Sequence, residues 1–356
     1  MINKAIRTCV LVVSGTLALA GAARAEDPVA AEPAAAPPPS AEPAAAPAPS
    51  AEPAGMPAAT ASVPAAPPAP PPAPPPPPYS LPWQLRPVTV GNVLRSDTAV
   101  AFYDNAMGSG STVATTLLGS YKLSPSFGVL VRLGFVQNGA PGTTPDGTSF
   151  VNPIVGAAYS TKIAGSFRLA GFLGATLPVG MGGGSTPDPA AAAANAAGIP
   201  ARSAMDNAMF AVNYMTAILG AGFAYIDHKL TVQAEATVLE LIRVRGNDMT
   251  GISPDATRTN STMGLHAGYF VLPVLSLGGE IRYQRWLSTP SRIVMGAKSD
   301  IPSPNMDAVT FAVGPRFHFK LGSTWLRPGI SYAQALDSPN SDAHYKVVQV
   351  DVPFVF

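Results

Sequence analysis

Arginines and carboxylates recur in this sequence at alternate positions between apolar neighbours. Arg132 lies in SFGVLVRLGFVQ, Glu280 and Arg282 in VLSLGGEIRYQRWL, and Arg316 and His318 in DAVTFAVGPRFHFKL. On an extended chain successive side chains point to opposite faces, so these charges share one face and the Val, Leu, Ile and Phe residues the other. The chemistry open to such a face is electrostatic: ion pairing, or steering of charged solutes. Catalytic patterns are missing. The four histidines are His228, His266, His318 and His344, and none is followed two residues on by Ser. There is no His-Glu-x-x-His, no Gly-x-Ser-x-Gly, no calcium loop and no carboxylate cluster with metal spacing. The glycines of GMGGG are not followed by the Lys of a phosphate-binding loop. Ser261 near His266 reads as a loop-edge coincidence. No enzymatic activity, cofactor or metal is therefore expected.

The elements that carry these faces have a period of two from Trp83 onward. The pattern predicts strands near 95–105, 112–123, 126–137, 149–161, 166–179, 208–225, 229–244, 260–272, 274–288, 307–320, 323–335 and 344–356. Connections at Ser124-Pro125, Ala164-Gly165, Asp227-His228, Leu272-Pro273 and Leu321-Gly322 are tight. Those at Gly108–Ser111, 138–148, 180–207, 245–259, 289–306 and 336–343 are expected to be longer and carry Gly, Pro, Asn, Asp and Ser. Alternation of tight and long connections predicts an all-β fold: an up-and-down transmembrane β-barrel of about 12 antiparallel strands. The apolar run Ala208 to Ile226 is long enough for a membrane helix. Its Gly220 and Gly222, and its place between a loop and a tight turn, favour a strand.

The front of the chain differs. Lys4 and Arg7 precede the apolar stretch TCVLVVSGTLALAGA, and Ala23-Arg24-Ala25 offers a small-x-small cleavage site. Residues 1–25 therefore read as a secretory signal peptide, which holds the single cysteine, Cys9. Residues 26–82 contain more than half of the 40 prolines, with Ala-Glu-Pro recurring at Glu32, Glu42 and Glu52. They read as a disordered Pro/Ala-rich segment, a spacer or a ligand for a periplasmic or cell-wall partner. Residues 83–356 form the barrel. An even strand number puts both ends of the barrel on the periplasmic side. The formal net charge is +1, and the leader removes only basic residues, so no nucleic-acid partner is expected.

With the apolar faces in lipid, the inward set includes Lys122, Arg132, Arg168, Gln233, Glu235, His266, Glu280, Arg282, Gln284, Arg316, His318, Arg327, Gln349 and Asp351. An arginine at the membrane midplane costs roughly 2–4 kcal/mol, which forces the assignment. Glu240 shares a face with Val238 and Ile242 and needs either a bulge or an interfacial position. Two aromatic belts are expected. Tyr121, Phe127, Tyr159, Phe167, Tyr225, Tyr269, Phe319, Phe354 and Phe356 lie at the short-turn end. Phe102, Tyr103, Phe135, Phe150, Phe210, Tyr283, Trp286 and Tyr345 lie at the long-loop end.

The last strand, YKVVQVDVPFVF, puts Val348, Val350, Val352, Phe354 and Phe356 on one face and Gln349 and Asp351 on the other. Here the chain resembles the bacterial outer-membrane β-barrel proteins of Gram-negative cells, whose final strand commonly ends in Phe. The resemblance implies outer-membrane lipid as surroundings and recognition of Phe354 and Phe356 by the barrel assembly machinery. The phrase GFLGATLPVG, Gly171 to Gly180, looks like a strand of the small-molecule outer-membrane transporters.

The leading expectation is a passive channel or transporter for small polar or anionic solutes, steered by Arg132, Arg168, Arg282, Arg316 and Arg327. A competing reading is an Arg–Glu network that fills a narrow lumen, leaving a non-conducting barrel that anchors a periplasmic tether. A secretion barrel is a third reading, for which residues 26–82 make a poor passenger. In the loop Gly180 to Asp206, Asp188 can cap and Pro189 can start a short alanine helix. That helix either constricts the mouth or lies over the rim.

Overall fold

The structure, a computed structural model, describes residues 79–356 apart from 106, 143–145, 247–254, 291–305 and 339. The signal-peptide reading, Cys9 and most of the Pro/Ala-rich segment lie outside the described residues.

Alternating residues form fifteen strand segments: β1 (Val93–Asn105), β2 (Gly108–Lys122), β3 (Phe127–Gly139), β4 (Gly147–Phe150), β5 (Ile154–Ala164), β6 (Phe167–Thr176), β7 (Tyr214–Asp227), β8 (Leu230–Arg243), β9 (Thr257–Leu272), β10 (Leu275–Trp286), β11 (Asp307–Phe317), β12 (Phe319–Leu321), β13 (Thr324–Leu326), β14 (Gly329–Ala335) and β15 (Lys346–Val355). The pairs β4/β5, β11/β12 and β13/β14 each make one stave, so the barrel has 12 strands. Every pairing is antiparallel, and the barrel closes where Val93 to Phe102 pair with Val355 to Lys346. The last strand therefore has no free edge. A strand does run through the long apolar stretch, but from Tyr214 rather than Ala208, because Asn207–Phe210 is a short helix.

The outer surface is oily. Leu169 and Leu173 of β6, Leu219 of β7, Val238 of β8, Leu265 of β9 and Ile281 of β10 are exposed. Tight turns at one end place Gly165 and Gly322 at φ of 48° and 64°, a region that costs other residues strain; His228 adopts it at 49°. At this end Tyr121, Phe127, Tyr159, Phe167, Tyr269, Phe319 and Phe356 stand exposed. The belt expected at the other end is depleted. Phe210, Trp286 and Tyr345 are buried, and Tyr103 stacks on Tyr345 at 5.4 Å. These rings pack inward because something fills that end of the lumen. Phe135 does stand exposed. The first long-end connection is also shorter than expected, since Asn105 pairs with Gly108 in a hairpin. Glu240 keeps its outward register opposite Thr259 and accepts a 2.7 Å hydrogen bond from its hydroxyl, so no bulge is needed.

Candidate functional site: a lumen filled from both ends

Among the described residues, two stretches of chain occupy the interior. The first is residues 79–92, immediately before β1. Pro82 and Pro87 remove backbone donors and deny this stretch a ladder. Its remaining backbone groups must then find side chains. The Ser80 amide donates to Thr231 at 3.0 Å. The Trp83 and Gln84 amides donate to the Glu280 carboxylate, the latter at 3.3 Å. The Arg86 amide donates to Glu235 at 2.5 Å, and the Arg86 guanidinium pairs with the same carboxylate. In return, Arg316 donates to the Leu81 carbonyl at 3.2 Å, Arg95 and Gln349 donate to the Trp83 carbonyl, and Gln233 donates to the Arg86 carbonyl at 2.6 Å. Trp83, Leu85 and Val88 are buried, and the Arg316 guanidinium lies 4.3 Å from the Trp83 ring centroid. Tyr79 to Pro82, grouped by composition with the proline segment, thus touch the inner wall.

The second insert comes from the connection between β6 and β7. Asp188 caps helix α1 (Pro189–Ala201) by accepting from the Ala190 amide at 2.9 Å, and Pro189 opens it, as the sequence suggests. Its small face, with Ala191, Ala194 and Ala201, is buried. The Tyr345 hydroxyl donates to the Ala197 carbonyl at 3.4 Å. The helix enters the mouth rather than capping the rim. Beyond it, the fully buried Arg202 grips Asp97 of β1 with two bonds, of 2.8 and 2.9 Å, and Asp206 with a third at 2.9 Å. Asp206 also pairs with Arg132 of β3 at 2.5 Å. Short helix α2 (Asn207–Phe210) leads back to β7.

The two inserts meet on shared side chains. Gln349 donates to Asp97 at 2.8 Å, the carboxylate held by Arg202, and to the Trp83 carbonyl at 3.3 Å. Arg282 donates to Ser203 of the loop at 3.1 Å and to Glu280 at 2.8 Å, the carboxylate that receives the Trp83 amide. Asp351 sits between Arg95 at 2.6 Å and Arg316 at 2.8 Å. Of the arginines expected to make the lumen basic, Arg132, Arg282 and Arg316 therefore have carboxylate partners.

Of the sequence-selected residues, Glu235, His266, Glu280, Arg282, Arg316, His318 and Asp351 are buried inside the barrel. The His266 ring lies 3.6 Å from Glu280, and His318 bonds Ser276 at 2.9 Å. Arg132 and Arg327 are half-buried. Arg168 is half-buried at the short-turn end, away from this network, and Lys122 is exposed there. Phe354 and Phe356 stack at 5.9 Å at the closing strand's end. Arg86, Arg95, Asp97, Arg202 and Asp206 escaped selection. Arg95 and Asp97 carry the same alternation signal as the others, in VLRSDTAVAF. Arg86, Arg202 and Asp206 stand outside strands, where period two says nothing.

Between residues 79–91 and the wall of β2, β3, β5, β6 and β7 lies a cavity of about 340 Å³. The wall there includes a run of small groups, Gly128, Ala158, Ala170, Gly220 and Gly222, among larger residues such as Leu118, Leu130 and Phe172.

A closed antiparallel barrel with an oily exterior, aromatic rings at its tight-turn edge and a charged interior defines a bacterial outer-membrane β-barrel protein. No protein-family model matches the chain, and neither does any curated protein. Among solved structures it is similar to the KdgM porin in complex with disordered oligogalacturonate, at 12% identity over 74% of this chain and 99% of that one, with a TM-score of 0.41. An outer membrane channel from Pseudomonas putida F1 matches at 13% identity over 77% of this chain and 98% of that one, with a TM-score of 0.47. The NanC porin matches at 8% identity over 73% and 98%, with a TM-score of 0.44.

Proposed function

We propose that this barrel is a solute channel of the outer membrane, held shut in this conformation by its two inserts. One observation carries the reading: residues 79–92 join no strand ladder and are held by side chains of the wall. Such an insert can leave without breaking the barrel. The wall it leaves behind is lined by Glu235, Glu280, Arg282, Arg316 and Asp351, which suits water and not an apolar core. Small polar or anionic solutes are the expected cargo, with Arg168 and Arg327 flanking the tight-turn, periplasmic end of the path. The N-terminal proline segment lies on the periplasmic side in this reading, and Phe354 and Phe356 serve assembly.

The paired charges that tie both inserts to the wall favour a second reading, a non-conducting anchoring barrel. A removable cross-link separates the two. A Cβ built at Gly222 lies 3.2 Å from a Val88 methyl, so Val88→Cys with Gly222→Cys is within disulfide reach. In planar bilayers the wild type and the reduced variant should show openings, and the oxidised variant should be silent until reductant is added. Silence in all three forms supports the anchor. Current through the oxidised form means residues 79–92 are not the gate.

A further inference from the structure

The cavity beside the N-terminal insert has the composition of a ligand site, and one cation on its edge is unmatched. Its lining arginines are Arg86, Arg95, Arg132 and Arg327. Three of them are ion-paired: Arg86 with Glu235, Arg95 with Asp351 and Arg132 with Asp206. Among the described residues no carboxylate lies within ion-pairing distance of Arg327. Its guanidinium lies 5.3 Å from the Trp325 ring centroid, and its buried Nε has no hydrogen-bond partner. A stacked ring attracts the charge but leaves the in-plane donors unused. A carboxylate is the group that matches that fork.

Most of the remaining lining is apolar, and the two carboxylates that border the cavity, Asp97 and Glu235, are already paired with Arg202 and Arg86. Leu118, Leu130, Ile154 and Ala158 line it. A volume of about 340 Å³ is enough for a small molecule and falls within the range of ligand pockets. The geometry points to a binding site for a small amphiphilic monocarboxylate, with its carboxylate on Arg327 and its apolar body against the small-residue wall. This goes beyond conduction, because occupancy can be read without any current.

The test is calorimetric titration of the refolded full chain in a non-ionic maltoside detergent, with hexanoate as the probe and hexan-1-ol as the neutral control. Hexanoate should bind saturably at one site, and hexan-1-ol at least tenfold more weakly. Arg327→Gln should weaken hexanoate at least tenfold, while Arg327→Lys retains part of the affinity. Ala158→Leu, which fills the cavity without touching the cation, should weaken both probes, and it serves as the second variant if Arg327→Gln does not fold. Heat-modifiable gel mobility checks folding. Equal binding of the two probes, unchanged binding in Arg327→Gln or in Ala158→Leu, or no saturable hexanoate binding would overturn the site. Each of these results leaves the gating experiment untouched.

Discussion

The two halves of the inner wall are built differently. From β8 round to β1 the inward residues include Gln233, Glu235, His266, Glu280, Arg282, Arg316, Gln349, Asp351, Arg95 and Asp97, all buried. From β3 to β7 they include Gly128, Ala158, Ala170, Gly220 and Gly222. The N-terminal insert takes most of its hydrogen bonds from the charged half and leaves a cavity against the bare half. The charged half therefore grips, and the bare half makes room. Burying paired charges is a poor route to stability, because desolvation offsets most of the attraction. Their value here is that they satisfy the backbone of an insert that cannot join a sheet.

Substitutions should expose this contrast, and urea unfolding of the refolded barrel gives the scale. The largest effect is expected from Asp97→Ala, which removes two of the three bonds of buried Arg202, leaving it only Asp206, and also takes the acceptor of Gln349; about 3 kcal/mol should be lost. Next, Glu280→Gln keeps the shape but removes the charge that Arg282 and the Trp83 amide share, for about 2 kcal/mol. On the bare half, Gly222→Ala places a methyl 3.2 Å from Val88 and should cost about 1 kcal/mol. Ala170→Ser, beside the cavity, should stay within about 0.5 kcal/mol. If Ala170→Ser matched Asp97→Ala, the contrast between the two halves would be broken. Intermediate variants on β2 would locate where it begins.

How much of this was legible in the sequence follows from period. Each stave was visible because one face meets lipid and the other does not, so SFGVLVRLGFVQ and YKVVQVDVPFVF name their own registers. Tight turns were visible through Gly165, Gly322 and Pro125. The capped alanine helix was legible from Asp188 and Pro189, but not its depth, which depends on Arg202 reaching Asp97, 105 residues away in sequence. Residues 79–92 were opaque for a similar reason. Trp83 and Leu85 begin an alternation that Pro87 and Val88 do not continue, and the boundary at residue 82 left Tyr79 to Pro82 with the linker. Only large apolar residues persisting inside a proline-rich stretch hinted at burial. The long-loop aromatic belt failed on the same count, since Phe210 and Tyr345 pack inside an end that the α1 insert fills.

Hydrogen exchange across residues 79–92 of the refolded full chain tests the account most directly, with a synthetic peptide of the same residues as the reference. The amides of Ser80, Trp83, Gln84 and Arg86 have partners on the barrel wall, so they should exchange at least tenfold more slowly than in the peptide. Exchange at the peptide's own rate would mean that this stretch lies outside the lumen, and the account of a barrel closed from both ends would be wrong.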